Sequence, residues 1–184
     1  MAILIILALA LIVGIGVELM WSLVDRSLYP QKYSEYVSKY ATEYNVPEDV
    51  IYATIKTESS FDPEAVSSAG ARGLMQILPS TFEWLTGYEH LNEGLTPNML
   101  YDPEINIRYG TYYLKYLYTK FGYNWDTACA AYNGGEGNVA EWLTDEKYSD
   151  GDGTLKDFPK GFEETKNYVK KINKARAVYL KLYY

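Results

Sequence analysis

Beyond Asp25 the apolar residues of this chain return every three to four positions and never settle into an alternating run. That periodicity restricts the chain to a mainly helical class, because one face of a helix repeats at 3.6 residues and one face of a strand at two. Tyr33, Tyr36, Val37, Tyr40, Ala41 and Tyr44 form a first stripe after Pro30. The segment Asn45-Val46-Pro47-Glu48-Asp49 reads as a stop followed by a start, and Val50, Ile51, Thr54 and Ile55 form the next stripe, running to Glu58. A loop rich in Ser, Ala and Gly follows over residues 67–73. Pro79-Ser80-Thr81-Phe82-Glu83 then reopens a helix, with Ser80 and Glu83 at capping-box spacing. Asp102-Pro103 starts a helix expected to reach Gly122, Asp126 is expected to cap another that ends at Asn133-Gly134-Gly135, and a last long helix begins near Glu163. No internal repeat interrupts this order, so one mainly α domain with short connections is expected.

The first two dozen residues stand apart. No charged side chain occurs before Glu18, and a second uncharged stretch runs from there to Asp25. About 20 apolar residues can cross a bilayer core, with Glu18 and Trp21 placed near the interface. A cleaved signal peptide would want a basic n-region, which is missing, and a buried core helix would be apolar on every face. The expectation is a transmembrane helix over residues 1–24, anchoring the chain as a single-pass membrane protein, and a globular domain over residues 25–184.

Composition removes several functions. A net charge of −7 without a long basic run leaves no electrostatic footprint for nucleic acid. The single Cys129 excludes an internal disulfide and a thiolate zinc set, and its small apolar neighbours suggest packing. His90, the only histidine, lies in a Gly- and Asn-rich loop and reads as surface decoration rather than part of a triad. The acidic turn from Asp150 lacks Gly at the sixth and Glu at the twelfth position of a calcium loop, so no metal or other cofactor is expected. Tyrosine is abundant, 20 copies against 4 Trp and 5 Phe, and a ring with one polar tip suits both core edges and the walls of a sugar cleft.

Chemistry concentrates at Glu58, the end of a short apolar helix. Partial negative charge at a helix C-terminus disfavours an ionised carboxylate, and desolvation by Phe61 and Met75 acts in the same direction. A glutamic acid kept protonated near neutral pH can donate to a glycosidic oxygen. Lys56 does not oppose this, since residues two apart on a helix do not face each other.

The surrounding words are more specific. Glu58-Ser59-x-Phe61-x-Pro63, then Gly70-Ala71-x-Gly73-Leu74-Met75-Gln76-Ile77-x-Pro79-x-Thr81, resembles the catalytic domain of soluble lytic transglycosylases. Asp102-Pro103 with Ile105, Ile107, Gly110 and Leu114, then Ala131-Tyr132-Asn133-Gly134-Gly135, then Glu164-Thr165-x-x-Tyr168-Val169 agree in order and spacing. The similarity spans about residues 47–175. It implies a lysozyme-like fold related to goose-type lysozymes, no cofactor, and peptidoglycan strands as substrate. It further implies Glu58 as acid and base, and a cleft of Ser67, Met75, Gln76, Tyr132, Asn133, Glu164 and Tyr168 for the substrate. Within that set Ser67 matches a serine near the N-acetyl group, Tyr132 a tyrosine whose hydroxyl approaches the catalytic carboxyl, and Glu164 a second cleft glutamate. Met75 and Leu78 look like wall residues.

Ordinary glycosidases use two carboxylates, and no Asp or Glu follows Glu58 closely on its helical face. One carboxyl suffices if the substrate's own C6 hydroxyl attacks, which gives a 1,6-anhydromuramic acid end. Glu58 alone leaves open a hydrolytic muramidase of the goose-lysozyme kind. A wall-binding protein without activity is the third reading, disfavoured by the joint presence of Glu58, Gln76, Tyr132 and Glu164.

Overall fold

A computed structural model describes residues 2–88, 91 and 94–184, with side chains from residue 9 onward except 19 and 22. His90 lies outside the described residues. Eight α-helices occur among them: α1 (Ala2–Leu28), α2 (Ser34–Tyr44), α3 (Glu48–Glu58), α4 (Pro79–Thr86), α5 (Pro103–Lys120), α6 (Trp125–Gly134), α7 (Glu136–Trp142) and α8 (Glu163–Tyr183). A 3-10 turn over Pro97–Tyr101 leads into α5.

Helix α3 is the central element, and residues Asp49 to Ile55 are all buried. It lies against α8, to which it is tied by a 2.8 Å pair between Asp49 and Arg176 and by stacking of Tyr52 on Tyr179 at 5.2 Å. Two core clusters flank it. One joins α2, α3 and the α4–α5 region through Val37, Ile51, Leu74, Phe82 and Tyr109; the other packs α6 and α8 around Ala130, Trp142, Val169 and Ile172. Cys129 is buried in the second cluster.

The helix ends show why the pattern was readable and where it misled. Asn45 closes α2 in the left-handed conformation, with φ 52°. The Asp102 side chain accepts from the Ile105 N–H and caps α5. The capping box expected at Ser80 and Glu83 does not form, because Pro79 takes the first helical position behind Leu78 and puts Ser80 inside the helix. Asn124, not Asp126, caps α6 by accepting from the Thr127 N–H; Asp126 sits in the first turn and accepts from Asn173.

The expected transmembrane helix is the main correction. Among the described residues, no helix is long and apolar enough to cross a membrane. Helix α1 runs without a break past residue 24 to Leu28. The uncharged run of the sequence ends at Glu18, and Asp25 and Arg26 follow within the same helix. Helix α1 leaves many side chains exposed, among them Ile12, Trp21 and Leu23. It meets the domain where Arg26 donates to the Leu182 carbonyl at 2.8 Å and lies over the Tyr183 ring.

Candidate active site

The site is built from the end of α3, the loop over residues 59–78, the end of α6 and the start of α8. After Glu58 the chain breaks sharply: Ser60 and Phe61 both take positive φ, 52° and 69°, which ends α3 and turns Phe61 inward. Such backbone is costly for residues other than Gly and persists only where packing enforces it. The loop then folds on itself through paired backbone bonds, Ser67 with Ala71 and Arg72 with Ile77. Gly73 is required here, since its φ is +73° and an added Cβ would fall 2.3 Å from the Leu100 carbonyl oxygen.

The Glu58 side chain is half-buried at a cleft of about 300 Å³ that is also lined by Ser67, Ser68, Gln76, Leu78, Tyr132, Asn133 and Glu164. Burial pushes its carboxyl up to about 7, against a hydrogen bond donated by the Tyr168 hydroxyl at 2.7 Å, which favours the ionised form. No cation pairs with it among the described residues. Burial, and then the nearby Glu58 carboxylate, raises the Tyr132 and Tyr168 phenols well above their usual value, so both stay neutral donors.

Not every residue expected in the cleft faces it. Met75 is fully buried under Gly110, and its contribution is a backbone carbonyl that accepts from the Tyr132 hydroxyl at 2.8 Å. Tyr168 is buried behind Glu58. Thus the phenol that touches the acid is Tyr168, while Tyr132 braces the loop and presents its ring. Gln76, itself at φ 49°, donates from its amide nitrogen to the carbonyls of Ala65 and Gly73. Its amide oxygen has no partner among the described residues. Ser67 accepts from the Ala71 N–H, which leaves its hydroxyl proton to donate. Glu164 and Asn133 are exposed at the rim.

Asn106 was missed. Fully buried on α5, it accepts from the Met75 N–H at 2.7 Å and donates to the carbonyls of Leu100 and Arg72 at 2.7 and 2.9 Å. It fixes the segment that carries Gln76. An Asn between Ile105 and Ile107 inside an apolar helix stripe was the available signal.

Among the described residues no group of three or more His, Cys, Asp or Glu gathers as a metal site. The cleft continues past Tyr132 into a second hollow of about 140 Å³, lined by Thr81, Tyr113 and Gly135 and sharing Gln76, Leu78, Tyr132 and Asn133 with the first. A groove lined by a carboxyl pushed up to about 7, between a helical core and a short hydrogen-bonded loop, marks a lysozyme-like domain.

Comparison with known proteins narrows this class. Residues 35–153 match the Transglycosylase SLT domain, and the chain belongs to that family. It is 35% identical over 145 residues to the soluble lytic murein transglycosylase of Escherichia coli (strain K12), which covers 78% of this chain and 22% of that protein. The crystal structure of the 70 kDa soluble lytic transglycosylase from Escherichia coli superposes with a TM-score of 0.74 at 32% identity, over 84% of this chain and 25% of that one. An inactive Glu-to-Gln mutant of the lytic transglycosylase Slt from Pseudomonas aeruginosa gives a TM-score of 0.69 at 28% identity, again over 84% and 25%. The chain therefore spans about a fifth to a quarter of the length of these relatives.

Proposed function

We propose that this chain is a peptidoglycan lytic transglycosylase that cleaves the β-1,4 bond between N-acetylmuramic acid and N-acetylglucosamine outside the cytoplasm, with residues 25–184 as its catalytic unit. One observation carries the reading: the Glu58 carboxyl sits in the groove and holds its proton up to about pH 7. A neutral acid so placed gives that proton to the bridging oxygen as the bond to C1 of the muramoyl residue breaks. The carboxylate left behind takes the proton of the muramoyl C6 hydroxyl as that oxygen attacks C1. Glu58 ends protonated, no water is consumed, and the product carries a 1,6-anhydro end.

The remaining residues divide by position. Ser67, the free amide oxygen of Gln76, Asn133 and Glu164 face the groove and are suited to the substituents of the sugars. Tyr168 tunes Glu58 through its 2.7 Å bond, and Tyr132 with the Met75 carbonyl holds the loop in place. That relatives are named lytic murein transglycosylases, and that a relative's inactive form is a Glu-to-Gln mutant, supports this reading.

A hydrolytic muramidase is the second reading, because Glu164 puts another carboxylate in the same cleft where it could activate water. Digestion of purified peptidoglycan with mass analysis of the products separates the two. The first reading expects saccharide ends one water lighter than reducing muramic acid; reducing ends alone would replace it with the second. Glu58→Gln should lower turnover by at least about 10³-fold while the protein stays folded. Undiminished activity in that variant would remove Glu58 from its role.

A further inference from the structure

We infer that the groove continues onto an aromatic platform centred on Trp84, which binds a further N-acetylated sugar ring of the same strand; this rests on the glycan-cleaving reading above. The lining of the second hollow includes Thr81 on α4 and Tyr113 on α5. One turn further along each helix stand Trp84 and Tyr116, on the same faces because residues three apart on a helix are neighbours. The rings form an unbroken series: Tyr132 to Tyr113 at 5.2 Å, Tyr113 to Trp84 at 6.2 Å, and Trp84 to Tyr116 and Tyr88 at 5.0 and 5.3 Å.

Trp84 is 42% exposed although three aromatic rings, Tyr88, Tyr113 and Tyr116, pack against it at steep interplanar angles of 83°, 79° and 73°. An indole fixed in this way and still open to solvent offers its apolar surface at little entropic cost. The Tyr116 hydroxyl donates to Glu136, which Lys120 also pairs, so the neighbouring ring is held from behind. The apolar C–H face of a pyranose matches such a surface, and its acetamido and hydroxyl groups remain in water. The occupant follows from continuity with the groove: a strand seated against Gln76 and Tyr132 leaves past Tyr113 onto Trp84.

The test measures binding of a trimer and a hexamer of N-acetylglucosamine to full-length Glu58→Gln protein by calorimetry, with and without Trp84→Ala and Trp84→Phe. Trp84→Ala should weaken the hexamer about fivefold and leave the trimer within twofold, and Trp84→Phe should keep most of the hexamer affinity. The Trp84 indole N–H resonance should shift on adding hexamer and stay put with trimer, a reading that needs no folded alanine variant. Equal loss for both oligomers, loss for neither, or an indole that ignores the hexamer overturns the platform. If the Glu58→Gln parent binds neither oligomer, the sugar cleft itself fails, and the platform with it.

Discussion

The two walls of the cleft are held by different physics. One wall, residues 59–78, is a loop whose shape comes from hydrogen bonds, a glycine at φ +73° and left-handed residues such as Gln76, all pinned by Asn106. The other, where α6 meets α5 and α4, is a set of rings in contact, Tyr132, Tyr113 and Trp84. Hydrogen bonds are directional and expensive to leave unmade, so the first wall fixes atoms within tenths of an ångström. Ring contacts are broad and tolerate sliding. The acid sits beside the first wall, and on the proposed function the bulk of the sugar lies beside the second.

The sharpest way to break this contrast is Asn106→Leu. It strands the Met75 N–H and the Leu100 carbonyl in the interior and removes one of the two donors on the Arg72 carbonyl, and should cost about 4 kcal/mol by denaturant unfolding, at roughly 1–3 kcal/mol for each buried unpaired group. A loss under about 1 kcal/mol would show that the polar wall stands without its pin.

Next comes the acid itself. Folding raises the Glu58 carboxyl from an ordinary 4.5 to about 7, so the folded state binds the proton more tightly than the unfolded chain does. That stabilisation is complete below the unfolded value and is lost as pH rises through about 7. Glu58→Gln, which never ionises, should therefore melt above the parent at pH 8, by roughly 2–3 kcal/mol or about 4–10 °C, and show no advantage below about pH 4. A difference independent of pH contradicts the raised carboxyl. The same sign gives kcat/KM of the parent a fall above about pH 7.

The smallest effect separates Tyr168 from Tyr132. Among the described residues only Tyr168 donates to Glu58, and that bond lowers its proton affinity. Tyr168→Phe should move the alkaline fall of kcat/KM upward by about one pH unit, whereas Tyr132→Phe should leave it in place. Equal shifts in both variants would erase the distinction between the two phenols.

Much of this was legible in the chain. The stripe Val50 to Ile55 placed Glu58 at a helix end with apolar neighbours, and desolvation proved the leading cause of its shift. Local signals failed where two compete for one end: Pro79 displaced the Ser80 cap, and Asn124 stood two residues before Asp126. Helix α7 went unread because seven residues after Gly135 carry too short a pattern to show a period. Met75 was placed in the cleft wall by the resemblance alone. Only tertiary packing shows its side chain filling the space that Gly110 leaves. The N-terminal run was read from length and greasiness, whereas among the described residues no helix is long and apolar enough to cross a membrane.

Helix α8 carries Glu164 at the cleft in its first turn and receives Arg26 on the Leu182 carbonyl near its last. Eighteen residues of helix separate these points, a rod of roughly 27 Å. Because α8 is one unbroken helix, the point where α1 joins the domain is held at a fixed distance from the cleft, at the opposite end of the same rod.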